Sequence, residues 1–425
     1  MRKNSVGIIG LGYVGLPLAA EFCRAGFRVF GVDTNEERLA RLRQGSSYIA
    51  DVTSEDVQKF VSDGRLCPSA EFSVLREVEG ISICVPTPLR KTREPDVSHV
   101  IAAAESISNV LQPGQVVVLE STVYLGATEG LVAPILEKSG LKAGRDFYLA
   151  FSPERIDPGR NGIQVKDIPK VIGGINEEST ERAIELYQRV FNKLVSVAST
   201  KEAEMVKLLE NTFRAVNIGL IHELAMMAHH MKINIWQVIE AAASKPYGFM
   251  SFYPGPGWGG DCIPVSPVYL AWRAKEDGFN LGFVDHAVAI NNRMPQYIVD
   301  RVADLLNEQG KPLCGSRLLL LGLTYKRDVA DIRESPALPI LTLLKQKKAV
   351  ITYHDPYVPY LQLNGETLES RDLDSGLLSD QDCVVIITNH SCFDYQLIAE
   401  HSRLLFDTRD ATHNTKQRNA HIHVL

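Results

Sequence analysis

Cys262 stands in surroundings that suit covalent chemistry. It lies in a segment rich in glycine and proline, GPGWGGDCIPVSP (255–267), directly after a flexible turn with an accessible backbone. A structural cysteine usually sits within an apolar face, whereas a thiol on such a turn can meet a substrate as a nucleophile. The residues alone leave both interpretations open, a reactive thiol and a structural one.

A glycine-rich turn near the start of the chain predicts a phosphate-binding loop. Gly10, Gly12 and Gly15, with Tyr13 and Val14 between them, form G-x-G-x-x-G after a predicted strand and at the start of a predicted helix. The first glycine permits a tight turn, the second lets the backbone approach a pyrophosphate, and the third lets the helix pack on the strand. The helix amides and the positive end of the helix dipole then face the phosphates. A tight turn without a ligand is the alternative.

An acidic residue ends the next predicted strand. Asp33 lies 23 residues after Gly10. A carboxylate there accepts hydrogen bonds from the ribose diol of adenosine and repels a 2′-phosphate, so we predict NAD rather than NADP as the cofactor. Arg38 either lies over the adenine or is a solvated helix residue.

The elements that must position these residues follow two patterns. Strand and helix signals alternate in the first part of the chain, with buried strands at 81–85 and 116–121, and again from 317 onwards. Such alternation is typical of α/β folds with parallel, doubly wound sheets. Between them, residues 200–231 have helical spacing of apolar residues, which predicts a connecting helix of roughly 45 Å. We predict two Rossmann-like domains, 1–199 binding NAD and 313–425 binding substrate, joined by a helical dimerisation domain, 200–312, with the cysteine loop.

Composition excludes several classes of protein. The net charge of −6 gives no general affinity for nucleic acid, and no apolar run is long enough to span a membrane. The 7 cysteines are odd in number and lack C-x-x-C spacing, which favours a reducing cytoplasm over a disulfide framework or a zinc site. We expect no metal, and we expect the histidine-containing tail to be a short mobile end.

Several motifs occur in one order from about residue 6 to residue 409. They are GLGYVGLP (10–17), VPTP (85–88), ESTV (120–123), SPER (152–155), EMVKLLENTFRAVNIGLIHE (204–223), FYPGPGWGGDCIP (252–264), GLTYKRDVADIRESP (322–336) and DTRD (407–410). In these motifs the chain resembles the nucleotide-sugar 6-dehydrogenases, the family that includes UDP-glucose dehydrogenase. The cysteine loop resembles the branch acting on UDP-N-acetylhexosamines, because Val265 stands where UDP-glucose enzymes typically carry a lysine.

The resemblance implies an NAD-dependent oxidation of a sugar C6 alcohol to a uronate in two steps. Cys262 would add to the intermediate aldehyde, because a bare aldehyde has no hydride to give until a nucleophile adds to it. The resulting thiohemiacetal would lose a second hydride, and water would hydrolyse the thioester.

The resemblance also assigns roles by position. Lys207 and Asn211 share a helix face and would stabilise the oxyanion, whereas Glu154 and Thr122 would position water, with Glu154 as a candidate base. The implied cofactor contacts outside the glycine turn are Thr87, Thr122 and Arg333. The implied substrate contacts are Glu154, Arg155, Ile156, Lys207, Asn211, Arg214, Gly259, Tyr325, Lys326 and Arg409. Arginine suits phosphate oxygens, although any single basic residue can instead be a surface charge.

Two positions depart from the branch pattern. Ser266 replaces a usual aspartate and Asp261 a usual histidine. Because a serine hydroxyl is a poor base, we expect thioester hydrolysis to suffer, and a catalytically impaired homologue that binds NAD and UDP-sugars is an alternative. An NAD-recycling epimerase or decarboxylase is disfavoured, since Arg273 follows Tyr269 where a Tyr-x-x-x-Lys pair would need lysine.

UDP-N-acetyl-D-glucosamine is the leading substrate, with the manno and galacto epimers and UDP-glucose as alternatives. The epimer cannot be chosen from the sequence. The resemblance places the product in cell-surface polysaccharides such as O-antigen or capsule. The long helix and the helical middle of the chain predict a homodimer. We expect no nucleic-acid partner and no membrane partner.

Overall fold

The chain forms two compact units. The computed structural model describes residues 4–49, 51–90, 92–155, 164–260, 263–363, 365–416 and 421–425. One unit consists of Met1–Glu210 and Val268–Phe279, and the other of Asn211–Pro267 and Asn280–Leu425. The division into three domains inferred from the sequence stays a prediction.

The first unit is built on one sheet. Its strands are β1 (Ser5–Ile9), β2 (Arg28–Val32), β3 (Leu66–Ser69), β4 (Gly80–Ile83), β5 (Val116–Leu119), β6 (Tyr148–Phe151), β7 (Lys170–Gly174) and β8 (Leu194–Ser196). They lie in the order β3-β2-β1-β4-β5-β6-β7-β8. The pairs are parallel apart from the antiparallel pair β6–β7. The run from β3 to β6 has the Rossmann order, which brings ligands to the carboxyl ends of β1 and β4.

Helices flank this sheet. They are α1 (Gly15–Arg24), α2 (Glu36–Arg43), α3 (Ser54–Ser62), α4 (Ser98–Ser108), α5 (Ala133–Leu136) and α6 (Glu177–Tyr187). Successive strand residues point to opposite faces of a sheet. Ile8 and Val29 accordingly belong to one buried cluster and Ile9 and Phe30 to another, so both faces of the sheet are covered.

The remaining helices include the long one predicted from spacing. They are α7 (Thr200–His230), α8 (Ile235–Ala243), α9 (Ser266–Glu276), α10 (Gly282–Glu308), α11 (Ala337–Gln346), α12 (Ser375–Ser379) and α13 (Tyr395–His401). The predicted helix at 200–231 therefore ends one residue earlier, at His230. None of the described helices is both long and apolar enough to cross a membrane.

The second unit contains its own parallel sheet. Its strands are β9 (Arg317–Leu321), β10 (Val350–His354), β11 (Tyr360–Leu363), β12 (Glu366–Glu369), β13 (Cys383–Ile386), β14 (Leu404–Asp407) and β15 (His421–Val424). The sheet order is β10-β9-β13-β14-β15, and β11 and β12 form a separate antiparallel pair. Both units thus confirm the predicted α/β class with two doubly wound sheets.

The tail prediction was wrong. Residues 421–424 form β15, which pairs in parallel with β14. The indole nitrogen of Trp236 also donates a 2.8 Å hydrogen bond to the carbonyl of Leu425. These contacts hold the end of the chain against α8 and the second sheet, so the described tail is ordered rather than mobile.

Candidate functional site

The first glycine turn has the geometry of a phosphate loop. Gly10 has φ +85°, and a Cβ there would lie 2.8 Å from the carbonyl oxygen of Cys84. A Cβ on Gly15 would lie 1.8 Å from the carbonyl oxygen of Gly10, which only close helix–strand packing explains. At Gly12 a Cβ would meet nothing within 4 Å. Packing therefore does not require a glycine at position 12, and the open space beside Gly12 suits a pyrophosphate.

Asp33 is oriented by the backbone around the turn. Its Oδ2 accepts a 2.8 Å hydrogen bond from the amide of Leu11, and its Oδ1 accepts one of 2.8 Å from the amide of Asn35. The residue is buried, and β2 ends immediately before it. These bonds hold the carboxylate beside the glycine turn, where the ribose diol of NAD would reach it.

A cavity of about 250 Å³ lies beside this turn. Its lining residues are Gly12, Tyr13, Asn35, Glu37, Arg38, Arg41, Tyr48 and Ile49. The guanidinium of Arg38 lies 5.7 Å from the ring centre of Tyr48, and its Nη1 is 3.7 Å from Oδ2 of Asp33. Arg38 thus borders the cavity, where it can lie over an adenine.

Tyr48 is a residue that the sequence did not predict. Its hydroxyl donates a 2.6 Å hydrogen bond to the carbonyl of Leu11. Burial, followed by the charge of Asp33, raises the pKa of this hydroxyl, so Tyr48 remains a neutral donor. No local pattern marks Tyr48, because its position depends on the loop after α2 folding back over the glycine turn.

A hydrogen bond joins Thr87 and Thr122, which are both predicted to contact the cofactor. The Oγ1 of Thr87 donates a 2.6 Å hydrogen bond to the carbonyl of Thr122. The hydroxyl of Tyr269 donates to the carbonyl of Thr87 at 2.7 Å. The loops that follow β4 and β5 are therefore tied together at the carboxyl edge of the sheet, on which the first unit's ligand is expected.

Glu154 and Lys207 also meet in the first unit. The ammonium of Lys207 donates to the main-chain carbonyl of Glu154, and both residues are buried. Oε1 of Glu154 accepts a 2.6 Å hydrogen bond from the amide of Arg155. The predicted catalytic lysine and the predicted base are thus in direct contact, through the backbone rather than through the carboxylate.

Arg155 has partners within the protein. Its guanidinium donates to Glu210 at 2.6 Å and 3.4 Å, and to the carbonyl of Pro169 at 2.7 Å. An arginine committed in this way can contact a phosphate only by sharing or leaving Glu210. Its predicted neighbour in the substrate site, Ile156, lies outside the described residues.

The second unit holds Asn211 and the cysteine loop. The side-chain amide of Asn211 donates a 2.9 Å hydrogen bond to the hydroxyl of Ser266, and both residues are buried. Ser266 is the first residue of α9. Cys262, the predicted nucleophile, and Asp261 lie outside the described residues.

The loop before Cys262 packs closely on the segment after β9. A Cβ on Gly259 would lie 2.6 Å from Cβ of Tyr325, and Gly260 has φ +84°. The amide of Gly260 donates to the carbonyl of Arg333 at 3.1 Å. Gly259, Tyr325 and Arg333, predicted separately as ligand contacts, are therefore neighbours.

Arg409 lies against the same loop. A Cβ on Gly255 would lie 2.5 Å from Nη1 of Arg409, and the Nε of Arg409 donates to the carbonyl of Ile387 at 3.0 Å. Burial lowers the pKa of Arg409 to about 10, which leaves it charged at neutral pH. A partly buried cation next to the loop suits an anionic ligand.

His222 is a second residue that the sequence did not predict. Its Nε2 accepts a 3.2 Å hydrogen bond from the amide of Gly255, and its Nδ1 is 2.8 Å from Oδ1 of Asn291. Because Nε2 is the acceptor, Nδ1 carries the proton and the ring is neutral. Burial lowers the pKa of His222 to about 4. The only sequence signal was its place within a motif on α7.

The remaining residues predicted to contact a ligand are more exposed to solvent. Arg214 is exposed on α7, and Lys326 is half-buried after β9. Arg333 is exposed and forms an ion pair with Asp331, whose Oδ2 is 2.6 Å from its Nη2. The part of the chain that the structure describes contains no group of three acidic, histidine or cysteine side chains able to hold a metal.

Family models match the chain in three consecutive parts. These are the NAD-binding, central and UDP-binding domains of the UDP-glucose/GDP-mannose dehydrogenase family, at residues 4–191, 201–293 and 319–414. The matches confirm the resemblance and the cofactor, NAD. They also agree with the fit of the glycine turn, Asp33 and the adjoining cavity to a dinucleotide.

Individual relatives differ in their sugar. A UDP-N-acetyl-D-glucosamine 6-dehydrogenase of Pseudomonas aeruginosa is 37% identical over 360 residues, which cover 84% of this chain and 84% of that protein. A UDP-N-acetyl-D-mannosamine dehydrogenase of Pyrococcus horikoshii is 33% identical over 389 residues, covering 91% and 90%. A solved structure of a UDP-D-ManNAc dehydrogenase from Pyrococcus horikoshii has TM-score 0.89 and 30% identity, covering 99% of this chain and 98% of that one. The chain therefore belongs to the UDP-glucose/GDP-mannose dehydrogenase family and is an NAD-dependent UDP-sugar dehydrogenase.

Proposed function

We propose that this dehydrogenase oxidises C6 of UDP-N-acetyl-D-glucosamine to the uronate, for cell-surface polysaccharides such as O-antigen or capsule. The observation that favours an N-acetylhexosamine over glucose is the cysteine loop, where Val265 stands at the place of the lysine that the resemblance associates with UDP-glucose enzymes. Val265 is buried, so this position provides an apolar contact and no cation. The 37% identity to a protein named as a UDP-N-acetyl-D-glucosamine 6-dehydrogenase supports the same sugar.

The proposed chemistry depends on Cys262. Its thiolate adds to the aldehyde carbon formed in the first oxidation, which gives a thiohemiacetal that still carries a hydride. Loss of that hydride leaves a thioester, and water then releases the uronate and the free thiol. NAD, when bound, supplies the hydride acceptor.

Four further residues act on the substrate oxygen and on the water that hydrolyses the thioester. Lys207 and Asn211, four residues apart on α7, stabilise the negative charge that develops on the substrate oxygen. Glu154, whose carboxylate is held by the amide of Arg155, orients the hydrolytic water together with Thr122. Removing the carboxylate of Glu154 should therefore slow the hydrolytic half of the reaction.

The substrate is tested with a panel of UDP-sugars. Purified protein is incubated with NAD and the UDP-linked forms of N-acetylglucosamine, N-acetylmannosamine, N-acetylgalactosamine and glucose, and NADH is counted per sugar consumed. We expect the highest kcat/KM with the first sugar and about two NADH per sugar, because the covalent route has two oxidation steps. A better rate with another sugar would reassign the substrate.

The same panel tests the other classes of protein. Conversion of one epimer to another without net NADH would indicate an NAD-recycling enzyme. Tight binding of NAD and UDP-sugar without turnover would indicate an impaired homologue, which the serine at position 266 favours. A uronate product excludes both.

We further propose a homodimer formed through the helical part of the chain. Phe213, Leu220 and Met227 recur every seven residues on α7 and are 47%, 51% and 49% exposed, so they form a half-exposed apolar stripe, in which Phe213 also contacts the ring of Phe252. A second copy of the chain would cover the stripe through an isologous contact. The cysteines among the described residues are free, which supports the reducing cytoplasm as the compartment.

A further inference from the structure

A buried cluster of two charged residues, Lys170 and Glu120, lies beside Glu154 in the first unit, and the proposed chemistry does not use either of them. Lys170 begins β7, and its ammonium donates to Oε2 of Glu120 and lies 3.4 Å from Oε2 of Glu154. The three side chains are only 5%, 0% and 9% exposed. The cluster therefore touches the proposed water-orienting residue directly.

Glu120 is fixed from both sides. Its Oε1 accepts from the hydroxyl of Tyr187, which is 2.9 Å from Oγ of Ser82, and its Oε2 accepts from Lys170. Both oxygens thus have partners, on α6 and β7, and the Tyr187 hydroxyl is itself in contact with Ser82 on β4. Glu120 serves as an anchor that determines where the Lys170 ammonium lies.

Glu154 connects this cluster to Lys207. Its Oε1 is held by the amide of Arg155, its Oε2 faces Lys170, and its main-chain carbonyl accepts from Lys207. A shift of the Lys170 ammonium would therefore turn the Glu154 carboxylate about its contact with the backbone. The carboxylate that is the proposed base and the carbonyl that binds Lys207 therefore belong to the same residue, Glu154.

The charges around Lys170 suit a residue that keeps its proton. Burial alone would lower the pKa of Lys170, but the charges of Glu120 and Glu154 outweigh it and raise the pKa. Burial raises the pKa of Glu120 and, well above its ordinary value, that of the neighbouring Cys84. The Lys170 ammonium thus faces the side chains of Glu120 and Glu154, beside the Tyr187 hydroxyl and the Cys84 thiol, whose pKa values burial raises.

Stability does not explain such a cluster. Moving an ammonium and carboxylates out of water costs free energy that their attraction often fails to recover, and well-packed apolar side chains frequently replace buried ion pairs without loss. A buried charge cluster that touches a functional carboxylate is better explained by a role in orienting it.

We propose that Lys170, anchored by Glu120, is a positioning residue that fixes the carboxylate of Glu154 for its role in thioester hydrolysis. This inference rests on the proposed function of Glu154. Lys170 itself touches neither substrate nor cofactor in this role, so its effect should appear only where Glu154 is working.

The test is a double-mutant cycle assayed with UDP-N-acetyl-D-glucosamine and NAD. Lys170→Met should lower kcat by about tenfold or more, leave both KM values within about twofold, and move the acid limb of the kcat profile to higher pH. Adding Glu154→Gln should produce no further loss beyond Glu154→Gln alone, because both changes remove the same function. Lys138→Met, which breaks an exposed pair with Glu105 at 3.2 Å, is the matched control and should change nothing.

A second variant separates positioning from folding. Lys170→Met leaves Glu120 buried without its cation and can destabilise the chain, whereas Lys170→Met with Glu120→Gln removes both charges of the pair. We expect this double variant to unfold near the wild-type temperature and still to lose turnover. Wild-type turnover in it would overturn the inference, because the pair would then serve folding alone.

The outcomes distinguish the two proposals. Full activity of Glu154→Gln contradicts the proposed role of Glu154, and the inference about Lys170 fails with it. Loss of activity in Glu154→Gln, together with a fully additive loss from Lys170→Met, leaves the role of Glu154 intact and overturns the inference alone.

Discussion

The amide of Asn211 donates a 2.9 Å hydrogen bond to the hydroxyl of Ser266, and both side chains are buried. The resemblance to the N-acetyl branch leads us to expect an aspartate at the serine position. Ser266 makes a hydrogen bond with Asn211 but supplies no carboxylate. We expect this difference to slow the step in which a base would help water to attack the thioester.

Restoring the carboxylate should accelerate hydrolysis. Ser266 begins α9, where an aspartate is stabilised by the amides and the dipole of the helix. We expect Ser266→Asp to raise kcat by about tenfold or more, since positioned acid–base groups contribute at least that much. Rapid-quench kinetics should show faster decay of the thioester. Ser266→Asn has the same shape without the charge, and equal rates in the two variants would contradict this account of the step.

Asp33 should determine the choice of cofactor. Its carboxylate is held beside the glycine turn by the amides of Leu11 and Asn35, with Arg38 next to it. Asp33→Ser removes the ribose acceptor and the repulsion of a 2′-phosphate, so kcat/KM for NAD should fall by about tenfold while that for NADP rises. An unchanged ratio of the two values would show that other residues select NAD.

His222 should make the protein sensitive to acid. Burial lowers the pKa of His222 from 6.5 to about 4, so below pH 6.5 the unfolded chain binds a proton that the folded chain does not. Stability is therefore present in full above pH 6.5 and is lost as the pH falls toward 4, by about 2 kcal/mol at pH 5. Urea unfolding at pH 7.5 and pH 5 measures this loss. His222→Gln should show a smaller loss over the same interval, and an equal loss in the variant would rule out His222 as its origin.

The apolar stripe on α7 should hold the proposed dimer together. Leu220→Glu places a charge in the middle of the stripe, so sedimentation velocity should show a monomer at concentrations where the wild type is a dimer. Tyr360→Glu changes an apolar side chain outside α7 that is 65% exposed, against 51% for Leu220, and should leave the association unchanged. A Leu220→Glu dimer of wild-type strength would place the interface elsewhere.

The sequence predicted the parts of the fold whose signals are local. Buried central strands are continuous apolar runs, and α7 has a long helical period, so both were found. The edge strands β3 and β8 were missed because edge strands are half solvated and lack such runs, and β3 also contains Pro68. The pairing of the tail as β15 depends on β14 and Trp236, which are distant in sequence.

The site was predictable to the same extent. Glycine spacing and Asp33 identify the cofactor turn because each requirement is met within one strand–turn–helix unit. The sequence did not predict Tyr48, His222 and Lys170, because each of them contacts a partner from another part of the chain. The commitment of Arg155 to Glu210, 55 residues away, had no sequence signal either.

The role of Cys262 is the central claim, and a trapped intermediate tests it most directly. The wild type is mixed with NAD and UDP-N-acetyl-D-glucosamine, quenched in acid during turnover, digested and weighed by mass spectrometry. We expect a thioester adduct on the peptide containing Cys262, and no adduct and no uronate from Cys262→Ala, which still binds NAD. Uronate formation by Cys262→Ala at the wild-type rate would contradict that role.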